Sequence, residues 1–240
     1  MNEHPFIVTK ESAILKIDLN RPNAGNALTM PMLNELRLLI EQASIDPLIN
    51  VVSIVARGDN FCTGRDNTGH KREGMSVLQV HDQVMGKILG FYAAIRNCSI
   101  PVACSVQGDA KGFGCALAGS ADFTFASSSA SFKLDEIEHG SPSTLAMSAL
   151  VNKLPRKALS WLVCSGKPLD AMTAQTLGLV SCVYDSTQFD KNSTEAIELI
   201  ASRPRIALQT VKKFLNRAPG LDPEMASDFA GALHAMVRTK

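Results

Sequence analysis

The sequence predicts an α/β fold, in which buried strands alternate with amphipathic helices. Two near-continuous apolar runs of strand length, Val51–Ala56 and Val102–Val106, are the first indication. Such runs are typical of parallel strands that are buried on both faces. The second indication is that residues 29–46 and 76–97 carry apolar side chains at helical spacing. Helices and strands therefore alternate along the chain, which is the order of an α/β fold.

The N-terminal quarter contains a predicted hairpin, a helix and a strand. Residues 6–20 alternate apolar and polar side chains around Lys10-Glu11-Ser12, which predicts two short antiparallel strands. Thr29 can cap a helix that has Pro31 in its first turn, and this helix should end before Pro47. The strand that follows leads into a polar, glycine-containing loop, and open α/β folds place ligands at such loops.

The stretch from residue 99 to residue 142 carries the features on which the functional predictions depend. A strand breaks into a glycine turn, and small, helix-compatible residues follow Gly112-Phe113-Gly114. The N–H groups near Phe113 and Gly114 therefore lie at a helix start, where they can face a developing negative oxygen. A second strand at residues 123–126 and a carboxylate cluster at residues 135–138 complete the stretch.

Beyond residue 140 the chain is predicted to be mostly helical. The expected elements are a helix opened by Ser141 and Pro142 that runs to about residue 152, a helix over residues 156–164, a helix from Asp170 to Gly178, and a strand near residues 180–184. The pattern is helical from residue 192 onward. We therefore place a core at residues 1–185 and a helical C-terminal region at residues 186–240.

Composition and charge exclude several classes of protein. The 240 residues are 45% hydrophobic and 20% charged, with a net charge of +1, which is typical of a globular domain. This balance calls for neither a nucleic acid nor a membrane surface as partner. The six cysteines form no C-x-x-C pair and indicate reduced thiols. The sequence shows neither a leader nor an apolar run of about 18 residues, so we expect a cytoplasmic protein.

Motifs for several common chemistries are missing. The dinucleotide fingerprint needs a glycine where Leu117 stands, and neither a G-x-x-x-x-G-K-[ST] loop nor a G-x-S-x-G elbow occurs. The five histidines are too dispersed to predict a metal site. We therefore expect no metal.

Two glycine loops remain as candidates for chemistry, and each follows a predicted buried strand. The first is Phe61-Cys62-Thr63-Gly64-Arg65-Asp66, and the second runs from Gly108 to Gly114. Two such loops can each offer one backbone N–H to the same carbonyl oxygen. This arrangement, an oxyanion hole, stabilises an enolate or a tetrahedral intermediate. Taken alone, however, such loops are more often ordinary tight turns.

Six segments resemble, in the same order, the motifs of the enoyl-CoA hydratase/isomerase (crotonase) superfamily, from about Phe6 to Arg217. They are RPNAGNAL, FCTGRD, VQGDAKGFGCALAGSAD, ASFKLDEIEHGSP, ALSWLVCSGKPLDAMTAQTLGLV and RPRIALQTVKKFL. The resemblance implies a crotonase-like spiral of βαβ units, with two roughly perpendicular sheets and a helical C-terminal region that packs in a homotrimer or a hexamer. It also implies an acyl-CoA thioester substrate, with no cofactor apart from the CoA that the substrate carries.

The resemblance also assigns the site residues. The oxyanion hole of the family uses the N–H groups that match Arg65 and Phe113, and its catalytic glutamate matches Glu136. The family places CoA beside the loop that matches Asn23 to Ala27. The residues expected to contact CoA or the acyl group are Arg21, Asn23, Gly25, Ala27, Gly64, Asp66 and Gly112.

Two positions depart from the pattern of the family. Phe113 stands where glycine is usual, and we expect its ring to narrow or redirect the acyl pocket. Ala116 stands where hydratases with two glutamates carry the first of them, so half of the usual acid/base pair is missing. One carboxylate with an oxyanion hole is sufficient to move a double bond, whereas hydration in this family normally uses two acidic groups.

The leading interpretation is isomerisation of a 3-enoyl-CoA to a 2-enoyl-CoA, with Glu136 carrying the proton. One alternative is hydration of a 2-enoyl-CoA or hydrolysis of an acyl-CoA, with a second acid drawn from Asp109, Asp135, Glu138 and His139. Another alternative is a catalytically silent member of the family that binds an acyl-CoA or a protein partner. Lys111, Arg65 and the Arg21 to Asn26 loop could meet the phosphates or the adenine of CoA. Lys212 and Lys213 could reach the CoA of a neighbouring subunit.

Overall fold

We describe a computed structural model of the chain, which covers residues 4–68 and 74–238. These residues contain nine strands: β1 Phe6–Glu11, β2 Ile14–Leu19, β3 Val51–Ala56, β4 Val102–Val106, β5 Asp109–Lys111, β6 Phe123–Ser127, β7 Ser131–Lys133, β8 Leu169–Asp170 and β9 Cys182–Tyr184. They also contain ten α-helices: α1 Met30–Ile45, α2 Val77–Val80, α3 Gly86–Asn97, α4 Phe113–Ser120, α5 Thr144–Leu150, α6 Arg156–Ser165, α7 Ala171–Thr176, α8 Phe189–Ala201, α9 Arg205–Arg217 and α10 Pro223–Arg238.

The larger sheet has six strands in the order β1-β2-β3-β4-β6-β9. The β1–β2 hairpin is antiparallel, as predicted, and the remaining pairs are parallel. On one face, Ile17, Ile54 and Cys104 lie side by side in neighbouring strands and are fully buried. Together with buried residues of α1 and α3, they form the main hydrophobic core.

The opposite face of this sheet is covered by α8. Phe189, Ile197 and Ala201 of this helix pack against Val51 and Phe125 in a second, smaller core. The central strands are therefore buried on both faces, which confirms the prediction from their apolar runs. The division into a core at residues 1–185 and an oligomerisation region at residues 186–240 stays a prediction, and α8 packs directly on the sheet.

The smaller sheet has three strands in the order β5-β7-β8, and the sequence patterns did not predict it. Its strands are two or three residues long, which is too short for an alternation of apolar and polar residues to be recognised. This sheet is important for the site, because β5 belongs to the second glycine loop. An isolated bridge between Cys62 and Ala110 joins β5 to the first loop.

Most predicted helix boundaries agree with the structure. The side chain of Thr29 accepts a hydrogen bond from the N–H of Met32, and that of Asp170 accepts one from Thr173, so both predicted caps are present. The predicted helix over residues 76–97 is interrupted by a π-helical turn at His81–Met85. The helix that was expected to open at Ser141 and Pro142 begins only at Thr144.

No helix in residues 4–68 or 74–238 combines the length and the apolar character that a bilayer crossing requires.

Candidate active site

The two glycine loops lie side by side, held by backbone hydrogen bonds. The N–H of Cys62 donates to Asp109 O at 3.1 Å, and the N–H of Lys111 donates to Cys62 O at 2.9 Å. A methyl group on Gly64 would lie 3.3 Å from Lys111 O and 3.9 Å from the nitrogen of Phe113. The first loop therefore touches the backbone of the second at the point where α4 begins.

The two predicted oxyanion donors come from these adjoining backbones. Phe113 is the first residue of α4, a position at which an N–H has no acceptor within its own helix. Arg65 lies opposite Leu28 in an isolated β-bridge. The two hydrogen bonds of this bridge run from the N–H of Leu28 to Gly64 O and from the N–H of Asp66 to Leu28 O, so neither uses the N–H of Arg65. Both donors lie on loops that adjoin each other, and their role in an oxyanion hole stays a prediction.

Gly112 has a backbone conformation that only glycine adopts readily. Its φ is +50° and its ψ is −117°, and its N–H donates to Lys133 O of β7 at 2.8 Å. This hydrogen bond ties the start of α4 to the smaller sheet. The strand β7 in turn leads through Leu134 and Asp135 into the 3-10 turn that carries Glu136.

Glu136 reaches back to the second glycine loop. Its Oε1 would lie 3.4 Å from a methyl group on Gly112, and its Oε2 accepts a hydrogen bond of 2.7 Å from the hydroxyl of Ser143. The residue is half-buried. The structure thus brings Gly64, Gly112 and Glu136 together with the nitrogen of Phe113.

Ser143 is a residue of this site that the sequence analysis missed. It is buried and precedes α5, but its side chain does not cap that helix. Its hydroxyl bonds Glu136 instead. This use of the hydroxyl accompanies the late start of α5 relative to the prediction. The only signal in the sequence was a serine shortly after the carboxylate cluster, which does not reveal its partner.

The other carboxylates near the loops are paired with lysines. Asp109 lies 2.6 Å from Nζ of Lys111, and Glu138 and Asp135 lie 3.1 Å and 3.7 Å from Nζ of Lys133. A hydrogen bond from Lys111, reinforced by one from Ser131, lowers the pKa of Asp109. Glu136, in contrast, accepts its hydrogen bond from a neutral hydroxyl. Among the ion pairs of the described residues, none includes Glu136.

The two departures from the family pattern lie within α4. Position 116 is an alanine, so no carboxylate can face Glu136 from there. Its side chain is fully buried. The ring of Phe113 is 4% exposed and packs against two rings of α3, at centroid distances of 5.2 Å from Phe91 and 5.6 Å from Tyr92. The expected effect of this ring on the acyl pocket stays a prediction.

The loop expected to meet CoA is braced by its own side chains. The guanidinium of Arg21 donates to Ala27 O at 2.6 Å and to the carboxylate of Asp66 at 3.1 Å. Hydrogen bonds within the Asp66–Thr68 turn, together with that from Arg21, lower the pKa of Asp66. Arg21 thus links this loop to Asp66, the residue that follows Arg65. The contact of Arg21 and Asp66 with CoA stays a prediction.

Hydrogen bonds also hold the middle of this loop in place. The carbonyl of Gly25 accepts hydrogen bonds from the N–H and the hydroxyl of Thr63, at 2.9 Å and 3.1 Å. Asn23 is exposed. Asn26, which the sequence analysis did not single out, is buried and donates to the carbonyls of Arg57 and Asn60. The loop is therefore fixed both to the first glycine loop, through Thr63, and to the segment that precedes it.

The interpretation that Lys212 could reach CoA is wrong. Its side chain is 4% exposed, and its Nζ donates to the carbonyls of Ile95 and Ile100 and to Asp122 Oδ2, at 2.9, 3.0 and 2.6 Å. This ammonium ties α9 to the beginning of β4 and β6. Lys213 is exposed, and Lys111 is engaged by Asp109, so their roles toward CoA stay predictions.

Two surface clefts lie away from Glu136. One, of about 940 Å³, lies between the larger sheet and α8, and another, of about 890 Å³, lies between the end of α3 and the pair α9 and α10. Neither is lined by Glu136, Arg65 or Phe113. We place the candidate site at Glu136 because that carboxylate adjoins the second glycine loop, which lies against the first. The described part of the chain has no group of three or more His, Cys, Asp and Glu side chains that could hold a metal ion.

The family model described as enoyl-CoA hydratase/isomerase matches residues 9–235. The chain is 29% identical over 216 residues to 2,3-dehydroadipyl-CoA hydratase of Escherichia coli, covering 89% of this chain and 82% of that protein. It is 31% identical over 198 residues to the mitochondrial enoyl-CoA hydratase domain-containing protein 3 of Rattus norvegicus, covering 82% of this chain and 65% of that protein.

A solved structure agrees over nearly the whole chain. The crystal structure of an enoyl-CoA hydratase from Mycobacterium smegmatis superposes with a TM-score of 0.92 at 27% identity, covering 99% of this chain and 92% of that one. The predicted spiral fold, with its two sheets and helical C-terminal region, is thereby confirmed.

Proposed function

The chain belongs to the enoyl-CoA hydratase/isomerase family, and on that basis we propose that it isomerises a 3-enoyl-CoA to a 2-enoyl-CoA. The carboxylate of Glu136 removes a proton from C2 of the acyl group. The electron pair of that C–H bond moves toward the thioester, and a dienolate forms with negative charge on the thioester oxygen. Glu136 then returns the proton to C4, which leaves the double bond between C2 and C3. Atoms and charge are conserved, and no cofactor is needed.

The N–H groups of Arg65 and Phe113 stabilise the dienolate in this proposal. Preorganised backbone donors at a developing oxyanion typically contribute a factor of about 10²–10³ each to the rate. The contact between Gly64 and the backbone at Lys111 and Phe113 supports this assignment, because it brings the two donor segments together. The residues proposed to contact the rest of the acyl-CoA are those of the Arg21–Ala27 loop, with Gly64, Asp66 and Gly112.

The observation that carries the proposal is the position of Glu136 as a single carboxylate beside the second glycine loop. Its Oε1 adjoins Gly112, whose neighbour in the chain is the donor Phe113. Ala116 supplies no second carboxylate, and the lysine partners of Asp109, Asp135 and Glu138 keep these groups engaged as ion pairs. One acid/base group is sufficient for double-bond migration, because the same group removes and returns the proton.

Hydration is the second candidate, because several relatives are named as hydratases. The Escherichia coli relative is called a 2,3-dehydroadipyl-CoA hydratase. In hydration, a water oxygen bonds to C3 and a proton to C2, which usually engages two acidic groups. The pairing of Asp109 and Glu138 with lysines disfavours it, as it disfavours acyl-CoA hydrolysis with a second acid. A silent member of the family would bind CoA esters without turning any of them over.

The test uses a 3-enoyl-CoA and a trans-2-enoyl-CoA, each incubated with the protein in heavy water and followed by mass spectrometry. We expect the 3-enoyl ester to rearrange with unchanged heavy-atom composition. Glu136→Gln should lower this rate by about 10²–10⁴-fold, since the group that moves the proton is lost. Glu138→Gln is the matched control, because Glu138 is exposed and lies on the same turn.

Each other outcome favours a different candidate. Addition of one water to the 2-enoyl ester by the wild-type protein would favour hydration. Release of free CoA would favour hydrolysis. Wild-type rates in Glu136→Gln would exclude every proposal that uses this carboxylate. Binding of CoA esters without turnover of any of them would favour the silent member.

We propose that the protein assembles as a homotrimer or a hexamer of two trimers and works in the cytoplasm. Exposed apolar side chains of α9 and its neighbours support an interface in this region: Leu199, Ile206, Val211, Leu215 and Met225 are between 41% and 64% exposed. Light scattering of the purified protein should give three or six times the 25.8 kDa mass of one chain. A monomer at micromolar concentration would contradict this proposal.

A further inference from the structure

Two aromatic rings of α3 pack against the ring of Phe113, the proposed oxyanion donor. The rings of Phe91 and Tyr92, on α3, lie 5.2 Å and 5.6 Å from the ring of Phe113, and the Tyr92 ring is stacked on it with an interplanar angle of 20°. All three residues are at most 4% exposed. The two rings of α3 are therefore fixed against the residue whose N–H faces the proposed thioester oxygen.

The hydroxyl of Tyr92 has no hydrogen-bond partner among the residues that the structure describes. Two side-chain polar atoms of the described residues lack a partner and are also fully enclosed, namely Oγ of Ser105 and an Nη of Arg205. The Tyr92 hydroxyl lacks a partner but is not fully enclosed. Its oxygen therefore still borders accessible space. A largely buried hydroxyl without an acceptor is unfavourable, so a ligand that brings an acceptor to this space gains affinity.

Tyr92 lies next to the proposed site, because its ring is stacked on that of Phe113. The groups that act electrostatically on the Tyr92 hydroxyl include the carboxylate of Glu136 and the guanidinium of Arg65. Burial, and to a smaller extent the charge of Glu136, raise the pKa of Tyr92. The phenol consequently stays protonated at neutral pH and acts as a hydrogen-bond donor rather than as a base. Glu136 acts on this hydroxyl more strongly than the guanidinium of Arg65 does. The net effect therefore repels a negatively charged acceptor and favours a neutral one.

We propose that the Tyr92 hydroxyl contacts the acyl group as a hydrogen-bond donor and selects acyl chains that carry a neutral oxygen acceptor, a ketone or a hydroxyl, beyond the thioester. This inference rests on the proposed acyl-CoA chemistry at Glu136 and names the class of acyl group within it. Tyr92 is buried and its ring is stacked on Phe113, so the hydroxyl is held at one place beside the acyl group. Only an oxygen at a suitable number of carbons from the thioester can then reach it.

The first test compares the binding of pentanoyl-CoA with that of 3-oxopentanoyl-CoA and 4-oxopentanoyl-CoA, by calorimetry. Tyr92→Phe keeps the ring and its stacking and removes only the hydroxyl. We expect at least one oxo ester to bind about tenfold more weakly to this variant, and pentanoyl-CoA to change by less than about twofold. Tyr184→Phe is the matched control. It removes the only other tyrosine, which packs on the opposite side of the larger sheet, and should leave all three affinities unchanged.

The second test reads the hydroxyl directly and does not depend on turnover. In the Tyr184→Phe protein, Tyr92 is the only tyrosine, so tyrosine labelled with ¹³C at Cζ gives a single NMR signal. We expect this signal to shift more on binding the oxo ester than on binding pentanoyl-CoA. Equal affinities of wild type and Tyr92→Phe for every ester that binds, with equal shifts, would overturn the role of Tyr92 and leave the proposed function intact. Failure of all three esters to bind the wild-type protein would overturn both.

Discussion

The hydroxyl of Ser143 donates a hydrogen bond of 2.7 Å to Oε2 of Glu136, the carboxylate that adjoins the second glycine loop through Oε1. Ser143 is 3% exposed, and it lies at the end of the segment that joins the Glu136 turn to α5. This bond leaves Oε1 as the oxygen directed toward Gly112. Ser143 is therefore a positioning residue for the proposed proton transfer.

Ser143→Ala should lower the turnover number about tenfold and change KM little, because the carboxylate keeps its chemistry and loses its orientation. Ser143→Thr, which keeps a hydroxyl, should recover part of the rate. Steady-state kinetics with a 3-enoyl-CoA measures both. Ser141→Ala is the control, since Ser141 is exposed and its contact with Glu136 is through its backbone N–H. A wild-type turnover number in Ser143→Ala would show that the bond does not position the carboxylate.

Gly112→Ala should lower both stability and activity. At a φ of +50° and a ψ of −117°, a side chain costs about 1–3 kcal/mol of unfolding free energy. Its methyl group would also lie in van der Waals contact with Oε1 of Glu136, at 3.4 Å, and occupy space beside the oxygen that moves the proton. Gly220→Ala is the control, because its φ of +91° imposes backbone strain where the new methyl group meets nothing within 4 Å. Denaturant unfolding and turnover are measured for both. The Gly220 variant should lose stability alone, and a Gly112 variant that keeps full activity would contradict the contact.

Lys212→Met should lower the free energy of unfolding by about 3–5 kcal/mol, because it leaves the carboxylate of Asp122 without its cation in a largely buried position. Lys213→Met, at the exposed neighbouring position, should change it by less than about 0.5 kcal/mol. Urea unfolding gives both values. Adding Asp122→Asn to Lys212→Met should recover part of the loss, since it removes the unpaired charge. Equal stability of the two lysine variants would contradict the buried pair.

Asp109 should contribute to stability in a pH-dependent way. Its pKa in the folded protein is lowered by the hydrogen bond from Lys111, so the contribution is present above the unfolded value of about 3.8 and is lost as the pH falls through the lower folded value. Asp109→Asn should thus be less stable than wild type at pH 7 and equally stable in strong acid. Thermal unfolding across this range tests the sign. A difference that grows on acidification would contradict it.

Local patterns were sufficient for most elements of the fold. The strand Val51–Ala56 and the helix caps Thr29 and Asp170 depend on neighbours within a few residues, so the sequence shows them directly. The very short strands β5 and β7 carry no such pattern, and pairing across residues 109–133 creates them. The site residues Arg65, Phe113 and Glu136 were assigned by the family motifs, and the observed proximity of their segments agrees with that assignment.

The sequence by itself determined the α/β class, the two glycine loops and the family, and it predicted a site with one glutamate. The tertiary structure decided which side chains serve that site and which serve the fold. Ser143 turned out to hold Glu136, Tyr92 to stack behind Phe113, and Lys212 to lie buried against Asp122, ninety residues away in the chain. Ser143 meets Glu136 across the 3-10 turn and the loop that follows it, which carry no periodic pattern. The pairs Tyr92–Phe113 and Lys212–Asp122 are separated by 21 and 90 residues, and partners this distant leave no periodicity or spacing in the sequence. They are chosen by the packing of α3, α4 and α9 around the sheet, which exists only once the chain has folded.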